Sequence, residues 1–148
     1  MIELEDHLAK FGMKSCPIDN SLRIFGQKYA LHIIRNLLLL KQSKFGQFLK
    51  SIEGINSKTL SIRLRELEDS GLIKRTIIPG RPVHTQYSLT EKGMALEPIL
   101  SQLVLFSSRY EPKTVFEDGR PRMTINQIFN VHRRAENLSE IYEYSWIV

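Results

Sequence analysis

A mainly α-helical fold carrying one small β-hairpin (class α+β) is predicted for this chain of 148 residues by three observations. The stretch Gly54-Ile55-Asn56-Ser57-Lys58-Thr59-Leu60-Ser61-Ile62-Arg63-Leu64-Arg65-Glu66-Leu67-Glu68-Asp69-Ser70-Gly71-Leu72 reads as a capped helix with one apolar face and one cationic face. The residues after it alternate as two short strands about a Pro-Gly turn. The residues before it hold apolar runs at helical spacing.

In chain order, residues 1–15 form an N-terminal arm or helix. Leu22 to Phe25 closes a helix at Gly26, and Tyr29 to Leu40 is a nearly continuous apolar segment interrupted by His32, Arg35 and Asn36. Phe45, Phe48, Leu49 and Ile52 space a short third helix. In the fourth, Leu60, Leu64 and Leu67 fall on one stripe at about 100° per residue, so Lys58, Ser61, Ile62 and Arg65 point mostly the other way. Asn56 caps its first turn, Ile55 and Leu60 stand at the positions of a hydrophobic staple, and Gly71 is a natural terminator. At about 15 residues and roughly 22 Å, this helix is long enough to cross a major groove.

Leu72 to Ile78 is rich in strand formers, Pro79-Gly80-Arg81-Pro82 is a turn, and Val83 to Leu89 alternates again. Thr90 is an N-cap for a helix whose inner face is Leu96, Ile99, Leu100, Leu103 and Phe106. Pro98 within it should kink that helix or delay its regular start. The order is helix, helix, helix, recognition helix, strand, wing, strand, helix, which is that of a winged helix-turn-helix. Its expected span is residues 16–106.

Residues 107–148 read as a linker and a C-terminal amphipathic helix. Ser107, Ser108, Pro112, Gly119 and Pro121 mark the linker, and Asp118-Gly119 can turn a second hairpin between Thr114 to Glu117 and Arg120 to Ile125. Ile125, Ile128, Phe129, His132, Ala135, Leu138, Ile141 and Tyr142 then recur at helical spacing. Such a stripe must be buried against something, and reinforcement of a dimer is the preferred use.

Charge points the same way. Between Cys16 and Phe106 stand 13 Lys and Arg against 7 Asp and Glu, so the formal excess of +5 belongs to the expected winged domain. Clustered cations on one helix and one hairpin suit a duplex, where each neutralised phosphate releases counterions. Ser57, Lys58, Thr59, Ser61 and Ile62 in the first turns are the expected base readers. There Lys can approach guanine acceptors, the hydroxyls bond either partner, and Ile can touch a thymine methyl. Lys44, Lys50, Arg63, Arg65, Lys74, Arg75 and Arg81 are the expected phosphate and wing contacts, with Arg81 at the tip also able to enter a narrow minor groove.

Taken together, Cys16-Pro17, Gly26-Gln27-Lys28-Tyr29, Phe45-Gly46-Gln47-Phe48, Gly54-Ile55-Asn56, Leu64-Arg65-Glu66-Leu67-Glu68, Gly71-Leu72-Ile73 and Tyr87-Ser88-Leu89-Thr90-Glu91-Lys92-Gly93 resemble the HxlR-type winged-helix transcriptional regulators. The resemblance covers about residues 16–106. It implies a sequence-specific regulator that binds double-stranded DNA as a homodimer held by its terminal helices, on a roughly palindromic operator. It also implies that some members sense electrophiles or oxidants through a cysteine near the N-terminus, which raises an unidentified small-molecule effector. Tyr29 stands where the family usually has Trp and Gln27 where a second Gly is common. The chain also runs some forty residues past the usual last helix.

Cys16 is the only cysteine, so an intramolecular disulfide is excluded. It is read either as a thiolate switch near a helix start or, preferably, as a small buried hydrophobe at a dimer contact. His7, His32, His84 and His132 are far apart, and there is no C-x-x-C, H-x-x-x-H, phosphate-binding glycine loop or nucleophile elbow. No catalytic residue, metal or cofactor is expected, and the chain is not expected to be an enzyme. Glu3, Glu5 and Asp6 argue against a signal peptide and Leu37 to Leu40 is too short for a membrane span, so a cytoplasmic protein without membrane contact is expected. Two rival classes remain: a winged-helix module that docks an acidic protein, and a small-molecule or thiol-redox sensor whose DNA contact is secondary.

Overall fold

The computed structural model describes residues 3–129. Among them are helices α1 (Leu4–Lys10), α2 (Pro17–Phe25), α3 (Ala30–Leu39), α4 (Phe45–Ser51) and α5 (Ser57–Asp69), strands β1 (Ile73–Ile78) and β2 (His84–Leu89), then α6 (Glu91–Met94), α7 (Glu97–Tyr110), α8 (Pro112–Val115) and α9 (Ile125–Phe129). The chain divides into two compact units, Met1–Gly93 and Met94–Val148.

In the first unit the core is built where the apolar stripes of α3, α4 and α5 converge: Ile33, Ile34, Leu37, Leu38, Phe48, Leu60, Leu64 and Leu67 are all buried. The helix boundaries follow local chemistry. Pro17 sits in the first turn of α2, where its missing N–H costs nothing. Asn56 accepts a hydrogen bond from Thr59 N at 2.8 Å and so caps α5 as expected. Gly71, at φ 73°, reverses the chain after α5 in the left-handed conformation that glycine adopts without strain. Leu72 N then returns to Leu67 O.

β1 and β2 pair antiparallel, with Ile73 opposite Leu89 and Ile78 opposite His84. The outer edge of β2 is not free along its length: Tyr87 N donates to Ser43 O in the α3–α4 loop at 2.8 Å. Among the described residues this hairpin is the whole sheet. It bears out the mainly α fold with one small hairpin, in the order of a winged helix-turn-helix.

In the second unit Pro98 lies within the first turn of α7, so it delays the helix and does not kink it. Three expectations are corrected here. Of the expected inner face of α7 only Leu96 and Leu100 are buried, while Ile99, Leu103 and Phe106 are exposed. Ser107 and Ser108 are helical, because Ser108 Oγ donates to Val104 O at 2.7 Å and satisfies itself inside α7. No second hairpin forms at Asp118-Gly119. Asp118 accepts from Arg120 N and from Arg122, whose guanidinium lies 3.9 Å from the Phe116 ring centroid, and these contacts fold the segment into a local turn. Of the expected C-terminal helix the described residues include only Ile125–Phe129, helical as α9, and its other positions, His132 to Tyr142, lie outside the described residues. No described helix is long and apolar enough to cross a membrane.

Candidate nucleic-acid interface

The interface is built outward from α5. Three buried leucines, Leu60, Leu64 and Leu67, hold this helix on the core, and the same periodicity turns Ser57, Lys58, Ser61, Ile62 and Arg65 outward. Ile62 is 43% exposed, a large share for an isoleucine on a packed helix. Thr59 is half-buried, and Ser61 Oγ donates to Ser57 O at 2.9 Å, which leaves that oxygen as an acceptor.

Arg63 is placed differently from the other expected contacts. Its Nε donates to Lys28 O at 2.8 Å, its Nη1 pairs with Glu66 at 2.7 Å, and only 20% of the side chain is exposed. It ties α5 to the turn before the start of α3, two residues ahead of Ala30. At that start Tyr29 takes a left-handed backbone, φ 77°, with the Lys28 ammonium 5.0 Å from its ring centroid. His32 meets the same ring edge-on, and burial, then the positive charges of Arg35 and Lys28, holds its pKa below the ordinary histidine value.

Around α5 the remaining cations are exposed: Lys44 at the N-cap of α4, Lys50 in its last turn, Lys74 and Arg75 on β1, and Arg81 at the hairpin tip. Gln47 Oε1 accepts from both Ser43 N and Lys44 N, at 2.9 and 3.0 Å, and so fixes the backbone that carries Lys44. Cys16 is a half-buried free thiol at the N-cap of α2 and makes no side-chain capping bond.

Two groups of supporting residues were not singled out from sequence. Lys92 Nζ reaches Ser70 O at 2.6 Å and places a positive charge at the negative end of α5. Asn36, fully buried on α3, joins Gln42 and Ser51 by hydrogen bonds of 3.0 and 2.7 Å. The signal for Asn36 was present in its position three residues after Ile33, on the inward face. The partners are set by a loop conformation that periodicity does not encode.

Comparison with known proteins agrees with this geometry. The family model described as HxlR-like helix-turn-helix matches residues 24–115. The uncharacterised transcriptional regulator YvaP of Bacillus subtilis is 34% identical over 64% of this chain and 88% of its own length. The transcriptional regulator YodB of the same organism is 31% identical over 74% of this chain and 99% of its own. Among solved structures, a putative MarR-family regulator from Porphyromonas gingivalis superposes with a TM-score of 0.59 at 33% identity, covering 64% of this chain and 91% of its own. The redox regulator HypR in its oxidised form gives a TM-score of 0.58 at 30% identity, covering 62% of this chain and 94% of its own. With the capped, outward-facing helix and the basic hairpin beside it, these matches mean that the chain belongs to the HxlR-like helix-turn-helix family and is a DNA-binding regulator of transcription.

Proposed function

We propose that the protein acts in the cytoplasm as a homodimer that places two copies of α5 into successive major grooves of a roughly palindromic operator. The observation that carries this reading is the division of α5 into a leucine face buried in the core and an exposed face bearing Lys58, Ser61, Ile62 and Arg65. Ser57, Lys58, Thr59, Ser61 and Ile62 read base edges, while Arg65, Lys44, Lys50, Lys74, Arg75 and Arg81 hold phosphates or, for Arg81, a minor groove. Arg63 serves chiefly as a brace for α5, with Nη2 and the second N–H of Nη1 left for a phosphate. Dimerisation through terminal elements is supported by exposed Ile99, Leu103, Phe106 and Tyr110, which share one stripe of α7, and by exposed Phe11, Ile18 and Leu22 near the N-terminus.

Selection of bound duplexes from a random pool, followed by a salt titration on the selected sequence, tests the reading. Lys58→Ala should relax the sequence preference. Arg65→Ala should weaken all sequences alike and flatten the salt slope by about one unit. Negligible duplex binding at low salt would instead favour the docking of an acidic protein.

A thiol-switch reading has one specific support, the similarity to HypR, titled a redox regulator, together with a half-buried thiol at the start of α2. It requires that diamide change operator affinity in the parent protein and not in Cys16→Ser.

A further inference from the structure

We propose that Asn36, Gln42 and Ser51 are positioning residues that lock the wing to the helix-turn-helix, so that Lys44 on α4 and Arg81 at the wing tip meet the duplex as one rigid pair. The proposal rests on the DNA-binding reading above.

Asn36 is 0% exposed, on a helix face otherwise made of Ile33, Ile34, Leu37 and Leu38. A buried amide is costly unless its bonds are made, and here they are. Its Oδ1 accepts from Arg35 Nε at 2.9 Å, and its Nδ2 donates to Gln42 Oε1 at 3.0 Å and to Ser51 Oγ at 2.7 Å. Its backbone oxygen accepts from Leu40 N at 3.2 Å and from Gln42 N at 3.1 Å. Ser51 closes the triangle, with Oγ 2.9 Å from Gln42 Oε1. A core of the same shape would not need this polarity, whereas satisfied networks of this kind specify one arrangement over others.

The arrangement specified is that of the α3–α4 loop. Lys41 is held there at φ 52°, which a lysine seldom adopts without such support. Two residues further on, Ser43 offers its carbonyl to Tyr87 N on the outer edge of β2, and the Tyr87 ring meets buried Phe48 of α4 edge-on at 6.2 Å between centroids. The next residue is Lys44. A two-stranded hairpin has little rigidity of its own, so its direction follows what holds its edge. A continuous chain of bonds therefore runs from Asn36 through Gln42 and Ser43 to the strand opposite Arg75.

Thermodynamic cycles on the full chain test this, read as operator affinity. Gln42→Met keeps length and charge but removes the acceptor oxygen. Combined with Arg81→Ala it should lose less affinity than the product of the two single losses, by about threefold or more, because a mispositioned wing tip has less contact to lose. Combined with Lys58→Ala, on the separately held α5, the losses should multiply. Multiplicative losses with Arg81→Ala, when that change alone weakens binding, would overturn the proposal. An Arg81→Ala protein of unchanged affinity would overturn it at its foundation, by removing the wing contact from the reading above. If Gln42→Met lowers the unfolding midpoint enough to populate unfolded chain, Ser51→Ala, at an exposed position, takes its place in the same cycle.

Discussion

Arg63 and Arg65 lie two positions apart on α5, and about 200° of helical rotation sends them to different chemistry. Arg65 faces solvent, while Arg63 bonds a carbonyl 35 positions earlier in the chain. A guanidinium that ties two helices together adds to stability, and one that meets a phosphate adds to salt-dependent affinity. Arg63→Met should thus lower the unfolding free energy by about 1.5 to 3 kcal/mol, the usual range for a hydrogen bond to a charged group. It should leave the slope of affinity against salt near that of the parent. Urea titration and binding at several salt concentrations separate the two quantities, and a slope as flat as that of Arg65→Ala would show that Arg63 also holds a phosphate. The sequence placed both arginines on one cationic helix correctly, but Arg63 sits at its margin. What pulls it inward is the Lys28 carbonyl, a backbone atom whose position depends on the left-handed turn at Tyr29.

Helix α5 shows which parts of an element are written locally. Its start depends on Asn56 and Thr59, three positions apart, so the cap was legible from sequence; its end depends on residues some twenty positions later. Thr90 Oγ1 donates to Gly71 O, Lys92 Nζ to Ser70 O, and Thr90 N to Leu72 O, so the segment after β2 folds back over the C-terminus of α5. Gly93 is buried there, and a Cβ on it would collide with the Leu72 carbonyl oxygen. Gly93→Ala should therefore destabilise the protein by about 2 kcal/mol or more, since a Cβ pressed on a backbone carbonyl meets no flexible group that can yield. Asn56→Ala should cost about 1 kcal/mol, the ordinary loss of an N-cap. Denaturant midpoints of the two variants test the ranking, and a Gly93→Ala protein as stable as Asn56→Ala would mean that the clamp relaxes easily. Thr90 was visible in sequence as a helix start, and Gly93 only as the end of the motif Tyr87 to Gly93 that carries the family resemblance. Their second role needs the hairpin to bring them back, and no spacing rule carries that.

At the scale of the molecule the question is how one winged unit with a single reading helix attains specificity. On the proposed reading one α5 presents few base-contacting side chains, each worth about 1 to 3 kcal/mol of discrimination at best. Two copies related by a two-fold axis double the reading length. In the proposed dimer they would also bury the stripe formed by Ile99, Leu103, Phe106 and Tyr110, which is exposed in the single chain. In that proposed dimer, symmetry would set the spacing of the half-sites at about 10 base pairs or a multiple of it, because both helices would enter from one side of the duplex. Inserting about 5 base pairs between half-sites should turn them to opposite sides and reduce affinity to that of a single half-site, and about 10 should restore part of it. Leu103→Asp with Phe106→Asp, both on exposed positions, should give a monomer that is indifferent to the insertion. Sedimentation gives the first result and anisotropy with the spaced duplexes the second. A parent protein that ignores half-site spacing, or a double variant that still sediments as a dimer, would place the two-fold contact elsewhere than on α7.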